Sequence, residues 1–172
     1  MSPLELSIDT LKRAQERFLE TLDQMTVEEA NTMPKPLIKS VTWLIWHSSR
    51  VLDYQISPLA GLPQLYETAG FKERFNLDLP DDTQDWRHTP QEAAKVVVSD
   101  KQVLKVLKDY LQASMERTKA YFAQLDEADL ADVIDRNWTP AVTRGVRIVS
   151  TVDDIVMHSG QAVYSRRLVI GK

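Results

Sequence analysis

The sequence predicts an all-α protein, a four-helix bundle with a long crossover between its second and third helices. Three observations carry that expectation. Glycine occurs only five times in 172 residues, at 61, 70, 145, 160 and 171, so few positions suit the positive-φ turns that a strand-rich fold needs. N-terminal capping signals recur along the chain. Apolar residues follow them at three- and four-residue spacing, the period of a helix face.

The first helix starts at Ser2, Pro3 and Glu5, which supply an N-cap, a proline at the first helical position and a capping-box acid. Leu4, Ile8, Leu11, Phe18, Leu22 and Met25 then keep one face, so the helix is predicted over about 3–24. Thr26 and Glu29 open a short second piece within "MTVEEAN". "MPKPLIK" is extended, because each proline excludes the α region from the residue before it.

Ser40 caps the next long helix, "VTWLIWHSSRVLDYQI", predicted over about 41–57 and ended by Pro58 and Gly61. Residues 61–88 have weak local pattern and read as crossover. "TPQE" at 89–92 is another capping box and opens a short helix. Ser99 caps the longest predicted helix, about 100–125. "RNWTPAVTRGVRIVS" reads as a loop or small hairpin near 136–149, since "VRIV" is β-prone and "TRG" supplies a turn. The last helix is predicted from Ser150/Thr151 to about 169. The expected core includes Leu11, Phe18, Trp43, Leu44, Trp46, Leu104, Leu107, Leu111, Val156 and Met157.

A length of 172 residues suits one domain, 1–172. Apolar residues make up 43% and charged residues 27%, the composition of a soluble globular protein. The net charge of −4 lacks the basic footprint of a nucleic-acid binder. No cysteine is present, which excludes a disulfide framework, a thiolate zinc site and a cysteine nucleophile. The N-terminal stretch lacks the apolar core of a signal peptide, and no apolar run approaches the roughly 20 residues of a membrane span. The expected compartment is the cytoplasm.

A degenerate internal repeat accompanies these elements. "MTVEEA" follows the first helix and "LDEADL" the third, and each half then reaches a helix carrying one histidine, His47 or His158. A pseudo-two-fold arrangement would let the two face each other. Asp154 and His158 are spaced i, i+4, which places them on one helix face. Two histidines and a carboxylate suit a divalent transition metal with open positions. The opposing reading is a packed histidine and a first-turn acid serving the helix dipole. Asp153 points about 100° away on a 3.6-residue helix and is not expected to join. Gln161 continues the face of His158, and Arg50 lies one turn from His47. His88 is expected at the surface or in a cap.

At these residues the chain resembles the DinB/YfiT-like superfamily. "SVTWLIWHSSRVLDYQI" is similar to that family's second-helix signature, and "DxxxHSGQ" to its last-helix pattern His-x-x-x-His-x-Gly-Gln. The resemblance implies a four-helix bundle and a divalent metal (zinc, nickel or iron) held by one histidine from the second helix and two from the last. By position His47 and His158 match ligands, and Asp154 stands where the family has a histidine. It further implies a homodimer and an S-transferase acting on small electrophiles with a low-molecular-weight thiol cosubstrate, as in bacillithiol- and mycothiol-dependent relatives. Gln161 and Arg50 would then orient the cosubstrate or electrophile. A metal-bound water would instead make the protein a hydrolase, and the sequence leaves both open. The alternative class is a non-enzymatic, small-ligand-binding or stress-associated dimeric bundle with a vestigial metal site.

Overall fold

The computed structural model describes residues 1–172. Four long helices build the bundle: α1 (Pro3–Asp23), α3 (Val41–Leu59), α7 (Lys101–Phe122) and α8 (Arg144–Ile170). Helix α2 (Val27–Asn31) links the first two. The crossover holds α4 (Leu65–Thr68), α5 (Phe71–Phe75), a 3₁₀ turn at Asp85–Arg87 and α6 (Pro90–Ala93). A second 3₁₀ turn, Glu127–Ala131, precedes the antiparallel hairpin of β1 (Val133–Asp135) and β2 (Val142–Thr143).

The capping chemistry places most helix starts. Ser2, Thr26 and Thr89 each form reciprocal capping boxes with Glu5, Glu29 and Glu92, satisfying backbone N–H groups that have no partner within the helix. Ser40 Oγ accepts from the Trp43 N–H. Asp100, not Ser99, caps α7, its carboxylate taking the N–H groups of Gln102 and Val103.

Two boundaries differ from expectation. The hairpin spans 133–143 and α8 begins at Arg144 rather than near 151. The "VRIV" run is helical because Thr143 caps it through the Val146 N–H. Within that run Ile148 faces the core and Val146 and Val149 face outward. Gly145 allows a close approach at this start, since a Cβ there would meet the Leu130 carbonyl oxygen at 3.1 Å.

The buried apolar side chains form one cluster, with Phe18, Trp46, Tyr110 and Phe122 among its largest fully enclosed members. Of the expected core, Leu104 and Val156 are only half-buried, and Met157 is 47% exposed. Ile155, Ser159 and Ala162 define the inner face of α8, and Met157, two residues from Ile155, falls about 200° around the helix.

Asp53 fastens the crossover to the bundle. Its buried carboxylate accepts from Ser57 Oγ at 2.7 Å and from the Leu65 N–H, the Tyr66 N–H and the Tyr110 hydroxyl, each at 2.8 Å. One charge thus ties α3 to the start of α4 and to α7, with its oxygens satisfied as burial requires. Asn31 does similar work at the far end, exchanging hydrogen bonds with the Val98 backbone and accepting one from Thr42.

Candidate metal centre

His47 projects from the middle of α3 and is almost fully enclosed, at 3% exposure. Asp154 and His158 project from the facing stretch of α8, one turn apart. The three residues each offer a ligand atom, and these atoms lie within 4.8 Å of one another. His47 Nε2 is 3.8 Å from Asp154 Oδ2, and His158 Nε2 is 3.4 Å from Asp154 Oδ1. Ligand atoms about 2.0–2.1 Å from one tetrahedral ion sit about 3.4 Å apart. Both contacts are longer than ordinary hydrogen bonds, and the set, up to 4.8 Å across, would have to draw together to close on one ion.

The donor set passes a second test. Asp154 Oδ2 is buried without a hydrogen-bond partner, a costly state for a carboxylate oxygen unless a cation faces it. The group could hold a metal ion. Asp153 is exposed on the outer side of α8 and stays apart.

Each imidazole is held from behind. His47 Nδ1 lies 2.6 Å from Oδ2 of Asp85, with both side chains 4% exposed. His158 Nδ1 lies 2.7 Å from Gln161 Oε1. Carboxylate and amide oxygens accept, so in both rings the Nδ1–H donates and the Nε2 lone pair turns toward Asp154, the arrangement typical of metal-ligating histidines. Asp85 sits in the crossover, where no periodicity marks it, and sequence reasoning missed it. Burial opposes charge on His158, but the adjacent Asp154 and Gln161 outweigh it and hold its pKa above the ordinary histidine value.

Trp43 stacks on the His47 ring at 4.5 Å. Its indole N–H donates to His88 Nδ1 at 3.0 Å, and His88 Nε2 lies 2.7 Å from Thr83 Oγ1. His88 is thus buried, not at the surface as expected. Aromatic packing on Trp46 drew it inward, and burial holds its pKa below the ordinary value. It supports the site from outside and does not belong to the ligand cluster.

A cavity of about 480 Å³ opens onto His47 and Asp154 and is walled by Tyr54, Trp86, Trp138 and Arg147. Arg147 is engaged by Gln55 and Asp135. Burial raises the Tyr54 pKa, with Asp85 and Asp154 adding to the effect, so its hydroxyl remains a neutral donor. Arg50 does not line this cavity. It lines, with Trp46, a separate hollow beneath the crossover. Gln161 is at the site but faces the back of His158. Trp86, Trp138 and Arg147 carried no sequence signal beyond their residue type.

Comparison with curated proteins gives no match. Among solved structures, the chain is similar to a conserved protein from Enterococcus faecalis, with 63% identity, a TM-score of 0.94 and coverage of 100% of this chain and 99% of that one. No helix is long and apolar enough to cross a membrane. The helix order, the long crossover and the paired signatures of α3 and α8 agree with a family model that matches residues 10–162, and the chain belongs to the DinB superfamily.

Proposed function

We propose that the chain is a divalent-metal-dependent S-transferase that joins a low-molecular-weight thiol to a small electrophile. The observation that carries this reading is the Asp154 carboxylate between two imidazoles, its Oδ1 3.4 Å from His158 Nε2 and its buried, partnerless Oδ2 3.8 Å from His47 Nε2. His47, Asp154 and His158 would hold zinc, nickel or iron. Such an ion supplies the Lewis acidity that keeps a coordinated thiol as the nucleophilic thiolate at neutral pH.

The protein's own groups do the rest. Asp85 and Gln161 fix the two imidazoles, which makes Gln161 a positioning residue. Tyr54 offers a neutral hydroxyl at the cavity wall, suited to donate a hydrogen bond to the electrophile. Trp86 and Trp138, both exposed, give the cavity apolar walls for the electrophile's body. With no cysteine in the chain, the sulfur comes from the cosubstrate, and the cytoplasm, where small thiols stay reduced, is the compartment that fits.

The protein would act as a homodimer. Support comes from the outer face of α8, where Val146, Val149, Met157, Tyr164 and Leu168 are exposed in one apolar stripe, the kind of surface that marks an interaction site when it is contiguous. The second reading, a ligand-binding bundle with a vestigial site, draws on one feature: Asp154 replaces the histidine of the resembling pattern. Metal analysis of untagged protein purified without chelator separates the two. Stoichiometric metal together with thiol-dependent consumption of a model electrophile supports the transferase. Metal-free protein that rejects added zinc and nickel overturns it.

A further inference from the structure

A second hollow, of about 230 Å³, lies beneath the crossover. Its floor is Trp46 and Arg50 of α3. Its walls come from Tyr66, Leu77 and Leu79, and Lys72 and Asp81 stand at the rim, ion-paired at 3.0 Å. It shares no lining residue with the cavity at the metal centre.

Arg50 is the unusual group here. Its guanidinium lies 4.2 Å over the Tyr66 ring and donates to Gln64 Oε1 at 3.0 Å. No carboxylate lies within ion-pair distance of it, whereas Arg117, Arg144 and Arg147 each have one. The nearby buried acid, Asp53, already has its oxygens filled by four donors. A guanidinium carries five N–H donors in a planar fork, so the fork facing the hollow has donors left over. In the same floor, the Trp46 Nε1–H is buried with no acceptor. Burial opposes the charge on Arg50, and Tyr110, Asp85 and Asp53 together outweigh it, but none of the carboxylates is within ion-pair distance; an anion in the hollow would supply that direct pair.

We propose that this hollow is a binding site for a small monocarboxylate with an apolar body. The carboxylate pairs with Arg50, whose fork matches its two oxygens. The body lies against Tyr66, Leu77 and Leu79. A single inward cation matches a single negative charge, and the carboxylates of Glu73 and Asp81 at the rim repel a more highly charged anion such as phosphate.

The test uses the intact, metal-loaded protein labelled with ¹⁵N, whose four tryptophans give indole N–H signals assignable by single Trp→Phe variants. Benzoate is titrated, with inorganic phosphate as the second arm. The expected result is a saturable shift of the Trp46 indole with benzoate, with the Trp138 indole unmoved. Arg50→Gln lowers the benzoate affinity by about tenfold or more, the loss expected for a charge-assisted hydrogen bond. Leu79→Phe, which fills the hollow from the crossover side and leaves α3 intact, abolishes binding even if Arg50→Gln proves unstable. An absent or non-saturating Trp46 shift would mean that water alone solvates Arg50, and it overturns the proposal. So do unchanged affinity in the folded Arg50→Gln or Leu79→Phe protein, a phosphate affinity equal to that of benzoate, and a shift confined to Trp138, which would place the probe at the metal centre.

Discussion

Asp85 and His47 lie 38 residues apart in sequence and 2.6 Å apart in space, both shut off from solvent. The contact joins the crossover to the ligand helix and sets which nitrogen of His47 faces Asp154. Asp85→Asn keeps the size of the side chain and removes its charge. Metal affinity is expected to fall by about 10- to 100-fold, the usual cost of losing a partner behind a ligand histidine. Competition titration against a chromophoric chelator measures it, with the circular dichroism spectrum unchanged.

Asp154→Ala should lower metal affinity by more than that, on the order of 100-fold or beyond, because it removes a ligand and not its support. Asp154→His should restore or tighten binding by recreating the three-histidine pattern. Calorimetric titration with zinc and nickel reads both. Equal affinity in wild type and Asp154→Ala would remove the site.

Asp53→Ala is expected to destabilise the protein by about 3–5 kcal/mol, since it leaves several buried donors without an acceptor. Denaturant melts followed by circular dichroism check the magnitude. Tyr110→Phe removes one of those donors along with its need for an acceptor, and should cost about 1 kcal/mol.

His88 gives a pH prediction. Its folded-state pKa lies below the ordinary value because burial disfavours the imidazolium. The folded form therefore resists protonation that the unfolded chain accepts. Stability from the neutral ring is intact above the unfolded pKa of about 6.5 and is lost as pH falls from there through the lower folded value. The stability difference between wild type and His88→Asn should shrink across that interval, and the His88 ring should titrate below 6.5 by NMR.

Light scattering at high concentration should show twice the 19.7 kDa mass of the chain. Val149→Asp together with Met157→Lys, both on the exposed stripe of α8, should give monomers without loss of helix.

Much of the fold was legible because caps and periodicity are local. Ser2, Thr26, Ser40 and Thr89 begin helices in the structure as their neighbours in sequence imply. The last helix was read too short because β-branched residues at 146–149 suggested strand, while the Thr143 cap and the tertiary fit of Gly145 against Leu130 decided otherwise. Met157 lies beside inner-face positions in sequence, but the helix turns it outward. His47, Asp154 and His158 could be linked in advance by helix spacing and the two-half pattern. Asp85, Trp86 and Trp138 could not, since they lie in irregular segments whose direction is set by packing, and Arg50, one turn from His47, points into a different hollow.

Asp154 and His158 follow His47 by 107 and 111 positions in the chain (154 − 47 and 158 − 47). During synthesis, α3 and the crossover can pair His47 with Asp85 long before α8 exists. A nascent chain therefore offers one oriented imidazole and no chelate, and the remaining donors arrive together when α8 docks. An ion held by all three donors would pin an early helix to a late one across a loop of more than a hundred residues, where a cross-link constrains the unfolded chain most. Amide exchange in α8 should slow on loading more than in α1, because α8 gains the tether and α1 does not.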